Sequence, residues 1–318
     1  MPNAGDIRRQ VESETARRRR LSVPAFAGGF LYLLSAIIIT ETLSGAPTVG
    51  LLQGLTPALE GDANPAVSPR TEEVKFISHH AFSLVAGGIL AAVAVGILTL
   101  VLLLLADATI FRRPESFSPM RPLILVGGIG VALVTVAHQV VSAIETHKFA
   151  VGGDHTNSAV ERALTTGTAT ALVDYLALIA GLVLAVGMIG LMINALRTGL
   201  LVRWLAFLGM FTGILIVLPI GGAELQIVPA FWMVMMGILY AGKWPNGEPP
   251  AWAAGAAVPW PSRAQVAGGG RGRQPAAAAA AVGANGSSAA EPAPAPAPSG
   301  AGGSSRKRRR KRGPGPRQ

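Results

Sequence analysis

The sequence contains no cysteine, and only 14% of its 318 residues are charged. Without cysteine the chain cannot form a disulfide, a thiolate nucleophile, an iron–sulfur cluster or a thioether-linked haem. Charged residues make up about a quarter of an ordinary soluble domain, whereas 50% of this chain is hydrophobic and its mean hydropathy is +0.46. These shortages exclude cysteine chemistry and an ordinary soluble enzyme. They indicate that the lipid bilayer is the main solvent of the chain.

The apolar residues are concentrated in long stretches with little charge. A helix needs roughly 20 predominantly apolar residues to cross about 30 Å of hydrocarbon. By this criterion the sequence predicts six membrane spans, near residues 22–40, 81–106, 122–144, 168–194, 204–221 and 225–242. The last two are short, and the segment between them, with Pro219 and Glu224, predicts a tight hairpin. We therefore expect an all-α integral membrane bundle of six transmembrane helices over residues 21–243.

The two ends of the chain differ from this body in composition. Residues 1–20 are polar and finish in consecutive arginines, and residues 244–318 are rich in glycine, proline and alanine. Segments of this kind bury too little apolar area to offset the entropy of the chain. Both termini are therefore predicted to be disordered, the first as a basic segment and the second as a long tail.

Lysine and arginine are divided unevenly among the predicted loops. Of the 27 basic residues, only Arg70, Lys75, Lys148 and Arg162 lie on one side of the predicted bundle. The side whose short loops are rich in these residues is normally cytoplasmic. The sequence therefore predicts a multi-pass protein of the cell membrane with a cytoplasmic N-terminus and a cytoplasmic C-terminus.

Polar side chains occur in the outer parts of the predicted third and fourth spans. His138, Ser142 and Glu145 share one face of the third span, because residues three and four apart are neighbours on a helix. The fourth span contains Asp174, the only carboxylate well inside a predicted span. From the rise of a helix, His138 and Asp174 both lie about 8–9 Å below the outer boundary. Intramembrane ionisable groups usually face a partner or a cavity, so we expect these two side chains to meet.

This predicted polar site has more than one interpretation. It could relay protons, bind a cation, or join two helices without further chemistry. His79 and His80, at the start of the second span, are further candidate contributors. The chain has no His-Glu-x-x-His or Glu-x-x-His motif, so we predict neither a metal site nor a cofactor, and we assign no catalytic residue.

The C-terminal tail ends in a run of consecutive basic residues. Such a run is attracted to anionic lipid, and it lacks the aromatic residues that would stack on bases. We therefore predict that it binds anionic lipids, and nucleic acid is disfavoured. The predicted lipid-binding residues are Arg306, Lys307, Arg308, Arg309, Arg310, Lys311 and Arg312.

The beginning of the first span resembles a known kind of protein. From Arg20 to Leu33 the sequence reads Arg-Leu-Ser-Val-Pro-Ala-Phe-Ala-Gly-Gly-Phe-Leu-Tyr-Leu. This segment is similar to the start of bacterial multi-pass membrane proteins of unassigned function, in which a basic residue precedes a first helix rich in Gly, Leu and Tyr. The preference for arginine, 22 against 5 lysines, resembles actinobacterial coding. The resemblance implies a cell-membrane location, and it transfers no active-site residue.

Two functions from different classes follow from these observations. The first is an integral interaction or accessory protein with a lipid-binding basic tail, whose partner is another protein or a second copy of the chain. The alternative is a small transporter or ion-coupled carrier that uses His138 and Asp174. An intramembrane enzyme is disfavoured, because the sequence does not supply a convergent acid, base or metal constellation. A continuous polar path through the bundle would favour the carrier.

Overall fold

The computed structural model describes residues 4–50, 67–115, 119–217, 223–245 and 247–259, together with the single residues 53, 59 and 61. Within these ranges the chain is helical and contains no β-strand. The helices are α1 (Ala4–Ser44), α2 (Thr71–His79), α3 (Ala81–Arg112), α4 (Met120–Val151), α5 (Asn157–Glu161), α6 (Thr168–Thr198), α7 (Arg203–Val217), α8 (Ala223–Tyr240) and α9 (Pro250–Ala254). A π-helical turn, Arg162–Thr166, connects α5 to α6.

Four of these helices are long and apolar enough to cross a membrane. They are α1, α3, α4 and α6, the last together with α5 and the π-helical turn before it. The first four predicted spans are confirmed in this respect. Helices α7 and α8 coincide with the last two predicted spans and are apolar, but they are shorter, at 15 and 18 residues. Residues 218–222 of the predicted hairpin lie outside the described residues.

The long helices and the two shorter ones form a ring. Helix α1 packs between α8 and α3, α4 packs between α3 and α6, and α7 packs between α6 and α8. Glycines lie where the helices approach most closely, because they leave room for a neighbouring backbone. A Cβ atom added to Gly127 of α4 would collide with the backbone of Leu184 in α6, and one added to Gly128 would collide with Thr99 in α3.

The interior of the ring is apolar. Its fully buried residues include Leu102, Ile124, Leu184, Met188 and Trp232. Buried threonine hydroxyls in α3 and α7 donate hydrogen bonds to carbonyls of their own helices, so they do not point along a shared path.

The prediction of a disordered N-terminal segment was wrong for residues 4–20. Helix α1 begins at Ala4 and continues without a break into the first apolar span. Ile7 and Val11 of this extension lie against Gly255, directly after α9. The apolar contacts offset the chain entropy that a polar segment alone could not overcome. We call the end of the bundle that carries this extension the basic end.

The predicted tail boundary at residue 244 was also wrong. Residues 247–259 are ordered, and Trp252 in α9 is fully buried at the basic end. Trp252 donates a hydrogen bond from Nε1 to the carbonyl of Leu200, at 2.9 Å, and Val258 N–H donates to the carbonyl of Thr198, at 3.0 Å. These contacts attach the segment after α8 to the turn between α6 and α7. Residues 260–318, with the basic run 306–312, lie outside the described residues.

Candidate functional site

The structure brings the side chains of His138 and Asp174 together. His138 lies on α4 and Asp174 on α6, and these helices pack against each other. The distance from His138 Nε2 to Asp174 Oδ1 is 3.5 Å. This is within ion-pair range, but it is longer than an ordinary hydrogen bond of about 2.7–3.2 Å. The pair therefore retains hydrogen-bonding capacity for another group.

The pair lies on the flank of the bundle and not in its interior. The His138 side chain is 47% exposed and the Asp174 side chain is 55% exposed. Beside Asp174, between α6 and α7, is a cavity of about 630 Å³. The cavity is lined by Thr165, Ala171, Asp174, Tyr175, Ala177, Leu178, Ile216 and Val217. Among the described lining residues Asp174 is the only charged one, so this part of the cavity joins an apolar wall to one carboxylate.

The other predicted contributors make different contacts. Glu145 accepts a hydrogen bond from Lys148 Nζ at 2.8 Å, so its charge is already partnered by a neighbour one turn away. Ser142 is half-buried on α4, and its carbonyl accepts from the hydroxyl of Thr146 at 2.7 Å. Neither residue has a contact with Asp174 among the described interactions. Their role in a shared site with His138 stays a prediction.

His79 and His80 also have surroundings of their own. His79 is exposed at the end of α2. His80 stacks on Phe76, with ring centroids 4.0 Å apart, and its Nδ1 lies 2.9 Å from the Phe76 carbonyl oxygen. In the part of the chain that the structure describes, no three His, Asp or Glu side chains are grouped closely enough to hold a metal ion.

A second polar constellation, not predicted from the sequence, lies at the basic end. We call it the buried ionic cluster, and it consists of Glu14, Arg18, Arg112, Glu248 and Trp252. The Arg112 guanidinium lies 2.7 Å from a Glu14 carboxylate oxygen, and their side chains are 0% and 5% exposed. Arg18 and Glu248 form a second ion pair at 3.2 Å. The cluster therefore joins the N-terminal extension, α3 and the segment after α8.

Arginine side chains of this cluster also contact Trp252 and the backbone around it. The guanidinium carbon of Arg18 lies 4.4 Å from the centre of the Trp252 ring, a cation–π distance. Arg112 Nε donates to the Ala251 carbonyl at 2.9 Å, and a terminal nitrogen donates to the Ala108 carbonyl at 2.9 Å. Arg112 is paired and hydrogen-bonded through its guanidinium nitrogens, whereas the buried Arg18 Nε has no described hydrogen-bond partner. The paired charges of the cluster hold its segments together.

Sequence reasoning missed this cluster for identifiable reasons. Arg112 was counted among the loop cations, and Glu14 and Trp252 fell in segments predicted to be disordered. Two signals were nevertheless present in the sequence. Glu14 and Arg18 are four residues apart, which places them on one helical face, and Trp252 is a large aromatic residue in a segment of small residues.

At the opposite end, the connector between α4 and α6 is held against α2. Ser68 N–H donates to the His155 carbonyl at 2.7 Å, and Val74 packs with Phe149 and Val160. The Asp154 carboxylate accepts hydrogen bonds from the hydroxyl and the backbone N–H of Thr156, at 2.8 and 3.1 Å. The Thr156 side chain, with its backbone N–H and Arg162, holds the pKa of Asp154 below its ordinary value.

Comparisons with family models, with curated proteins and with solved structures found no match to this chain.

Proposed function

We propose that this protein is an integral membrane interaction protein that binds a transmembrane helix of a partner protein at the flank formed by His138 and Asp174. The observation that carries the proposal is the exposure of both ionisable side chains on helices that are apolar enough to cross a membrane. A site for transport through the bundle would instead face its interior. The apolar interior of the described bundle supports an association surface.

An Asp174 carboxylate that is exposed to lipid raises the free energy of the protein. A charged Asp at the centre of a transmembrane helix costs about 2.5–3.5 kcal/mol, and Asp174 lies about 9 Å along α6 from its first residue, Thr168. A partner helix that presents a hydrogen-bond donor would offset part of this cost. Interhelical polar contacts contribute about 0.6 kcal/mol each, with a maximum near 1.7, so apolar packing on the exposed leucines of α6 must supply the remainder.

The proposed topology has six spans in the cell membrane, with α7 and α8 as a hairpin. Both termini lie in the cytoplasm. The uneven distribution of lysine and arginine supports this orientation. The resemblance of residues 20–33 to bacterial membrane proteins supports a location in the cell membrane. Because the chain has no cysteine, a single introduced thiol can be labelled without background. Ser158→Cys, at an exposed position, should react with an impermeant maleimide in intact cells, and Ser304→Cys should not. Labelling at residue 304 from outside would contradict the orientation.

The docking flank can be tested by site-specific crosslinking in native membranes. Replacing Tyr175, which is exposed beside Asp174, with a photoreactive phenylalanine analogue should yield one adduct of defined mass. The same replacement at Phe30, an exposed aromatic residue on α1, is the matched control and should label lipid alone. Adding Asp174→Asn should reduce the adduct at position 175, because the partner loses its charged acceptor.

The outcomes separate the candidate occupants of this flank. An adduct of twice the chain mass would assign the flank to self-association instead of a separate partner. Lipid labelling alone at both positions, with or without Asp174, would overturn partner binding.

The alternative function, an ion-coupled carrier, is favoured by one observation, the cavity beside Asp174. If this cavity is hydrated and conducts a proton or cation, Ala171→Cys in its wall should react with an impermeant thiol reagent. Purified protein in vesicles should then show a cation- or proton-dependent flux that Asp174→Asn abolishes without unfolding the protein. Protection of residue 171 together with an absence of flux would reject the carrier.

Anionic lipid is a further proposed partner, through the basic run 306–312. At about 1 kcal/mol for each basic residue near an anionic surface, this run would bind strongly at low salt. A peptide of residues 300–318 should bind anionic vesicles and ignore neutral ones, and it should dissociate as the Debye length falls below about 10 Å. Equal binding to both kinds of vesicle would reject the electrostatic interpretation. We propose no catalytic activity and no cofactor.

A further inference from the structure

A groove lies between α1 and α8 at the basic end of the bundle, away from the His138–Asp174 flank. Its volume is about 430 Å³. It is lined by Arg19, Ser22, Val23, Phe26, Ile238, Ala241 and Lys243. Arginine and lysine lie at its mouth, and its wall is mostly apolar. We call it the basic-end groove.

The two cations of this groove are exposed and have no acidic partner among the described residues. Arg19 and Lys243 are both exposed, and no described carboxylate forms an ion pair with either. Arg18, one residue earlier, is buried and paired with Glu248 at 3.2 Å. The chain therefore uses one arginine to hold its own fold and leaves the next one free to bind an anion.

The groove lies at the level expected for lipid headgroups. Lys243 precedes Trp244, whose ring stacks on Trp204 with centroids 5.6 Å apart. Tryptophan rings prefer the boundary between hydrocarbon and water. From Arg19 to Phe26 the helix rises about 10 Å, so the groove extends from this boundary into the hydrocarbon.

We propose that the basic-end groove binds one anionic glycerophospholipid, with its phosphate between Arg19 and Lys243 and the upper part of an acyl chain against Val23, Phe26 and Ile238. Basic pockets between transmembrane helices are a recurring way of binding anionic headgroups. Arg19 offers a planar fork of donors for phosphate oxygens, and Lys243 adds a mobile positive charge. The exposed apolar side chain of Val23 gives the acyl chain a surface that a soluble phosphate would not use.

This site is separate from the lipid binding proposed for residues 306–312. It consists of side chains on α1, on α8 and on the turn directly after α8, so it selects one molecule by shape and charge. The basic run would respond to surface charge in general. Removing residues 300–318 should therefore leave binding in the groove unchanged.

The experiment measures binding of phosphatidylglycerol and phosphatidylcholine to the purified full-length protein by native mass spectrometry. We expect one tightly held phosphatidylglycerol. The variant Arg19→Gln/Lys243→Gln should bind it about thirtyfold more weakly, the effect of losing two cations at the usual strength of one contact each. The control Arg20→Gln/Arg113→Gln removes two exposed cations outside the groove and should bind as the wild type does.

A second variant tests the shape of the groove with its charges intact. Ala241→Phe fills the space beside the cations, so it should weaken phosphatidylglycerol binding. This variant keeps both charges, so it tests the groove independently if the charge variant folds poorly. Soluble glycerol phosphate should fail to displace the lipid, because it lacks the acyl chain. Equal affinity for the two phospholipids, equal weakening in the control variant, or loss of binding on removal of residues 300–318 alone would overturn the proposal.

Discussion

Replacing Arg112 with methionine should destabilise the protein strongly, because it breaks the buried ionic cluster. The Glu14 and Arg112 side chains are 5% and 0% exposed, and their charged atoms are 2.7 Å apart. Without Arg112, the Glu14 carboxylate stays buried with only the Gln10 side-chain amide as a described hydrogen-bond donor, at 3.0 Å. Removing one partner of a buried pair costs about 3–5 kcal/mol. We expect a loss of this size in the free energy of unfolding.

The matched control is the ion pair between Asp107 and Arg121. It joins α3 to α4 at the same end of the bundle with a distance of 2.9 Å, but its side chains are 36% and 58% exposed. Solvent screens such a pair, so Arg121→Met should cost less than about 1 kcal/mol. The two arginine variants remove the same chemical group. They differ in the burial of the carboxylate that is left behind and in the hydrogen bonds that Arg112 donates to the carbonyls of Ala108 and Ala251.

A double variant separates the charge from the packing. Glu14→Met together with Arg112→Met removes both charges and leaves two apolar side chains of similar length. Replacing a whole buried pair by apolar residues is often neutral or stabilising, so the double variant should recover most of the stability that Arg112→Met loses. Additive losses from the two substitutions would show that the charges are not coupled.

The assay is titration of purified protein with SDS in mixed micelles, followed by tryptophan fluorescence and by helical circular dichroism. The five tryptophans of the chain include Trp252 inside the cluster, so fluorescence reports directly on the basic end. If Arg112→Met lowers the free energy of unfolding by no more than Arg121→Met does, the buried ionic cluster does not stabilise the fold, and this reasoning is refuted.

Three further predictions concern close packing, a turn and a titratable loop. Gly127→Ala should lower the midpoint of thermal unfolding, because the added Cβ collides with α6 and such overpacking costs about 1–3 kcal/mol. Gly96→Ala is the control, since its Cβ meets nothing within 4 Å, and it should keep or raise the midpoint. A thermal melt of the two variants tests this. Gly199 has φ 76° and its Cβ would meet the Val258 carbonyl, so Gly199→Ala should release the segment after α8 to limited proteolysis; unchanged protection would contradict this. The lowered pKa of Asp154 stabilises the fold at neutral pH, and this contribution is lost as the pH falls through that pKa. The protection factors of the amides in residues 152–166, which are exchange rates corrected for the intrinsic rate at each pH, should therefore fall in acid, and Asp154→Asn should remove this change in protection.

The polar side chains show how far sequence patterns reach. His138 and Asp174 could be predicted to meet, because each depth follows from counting residues along a helix, and two helices of the same bundle share one depth scale. Their position on the flank could not be predicted. The side of a helix that faces a neighbour depends on how the helices are arranged around the ring. A helix that is apolar on nearly all sides has no amphipathic pattern from which that side could be predicted.

The membrane character of the chain, the positions of the apolar helices and the charge difference between the two ends can be predicted from the amino-acid sequence. These properties are local, since they depend on composition and on the helical repeat within about 20 residues. The order at the basic end depends on tertiary contacts and could not be predicted in this way. Glu14 and Arg112 are 98 residues apart in the chain, and the polar segments that carry Glu14 and Glu248 became ordered because distant residues supplied their charge partners and an apolar surface. An ion pair of this kind stabilises the fold only when the tertiary structure brings both segments into contact. A local sequence pattern does not predict such a contact.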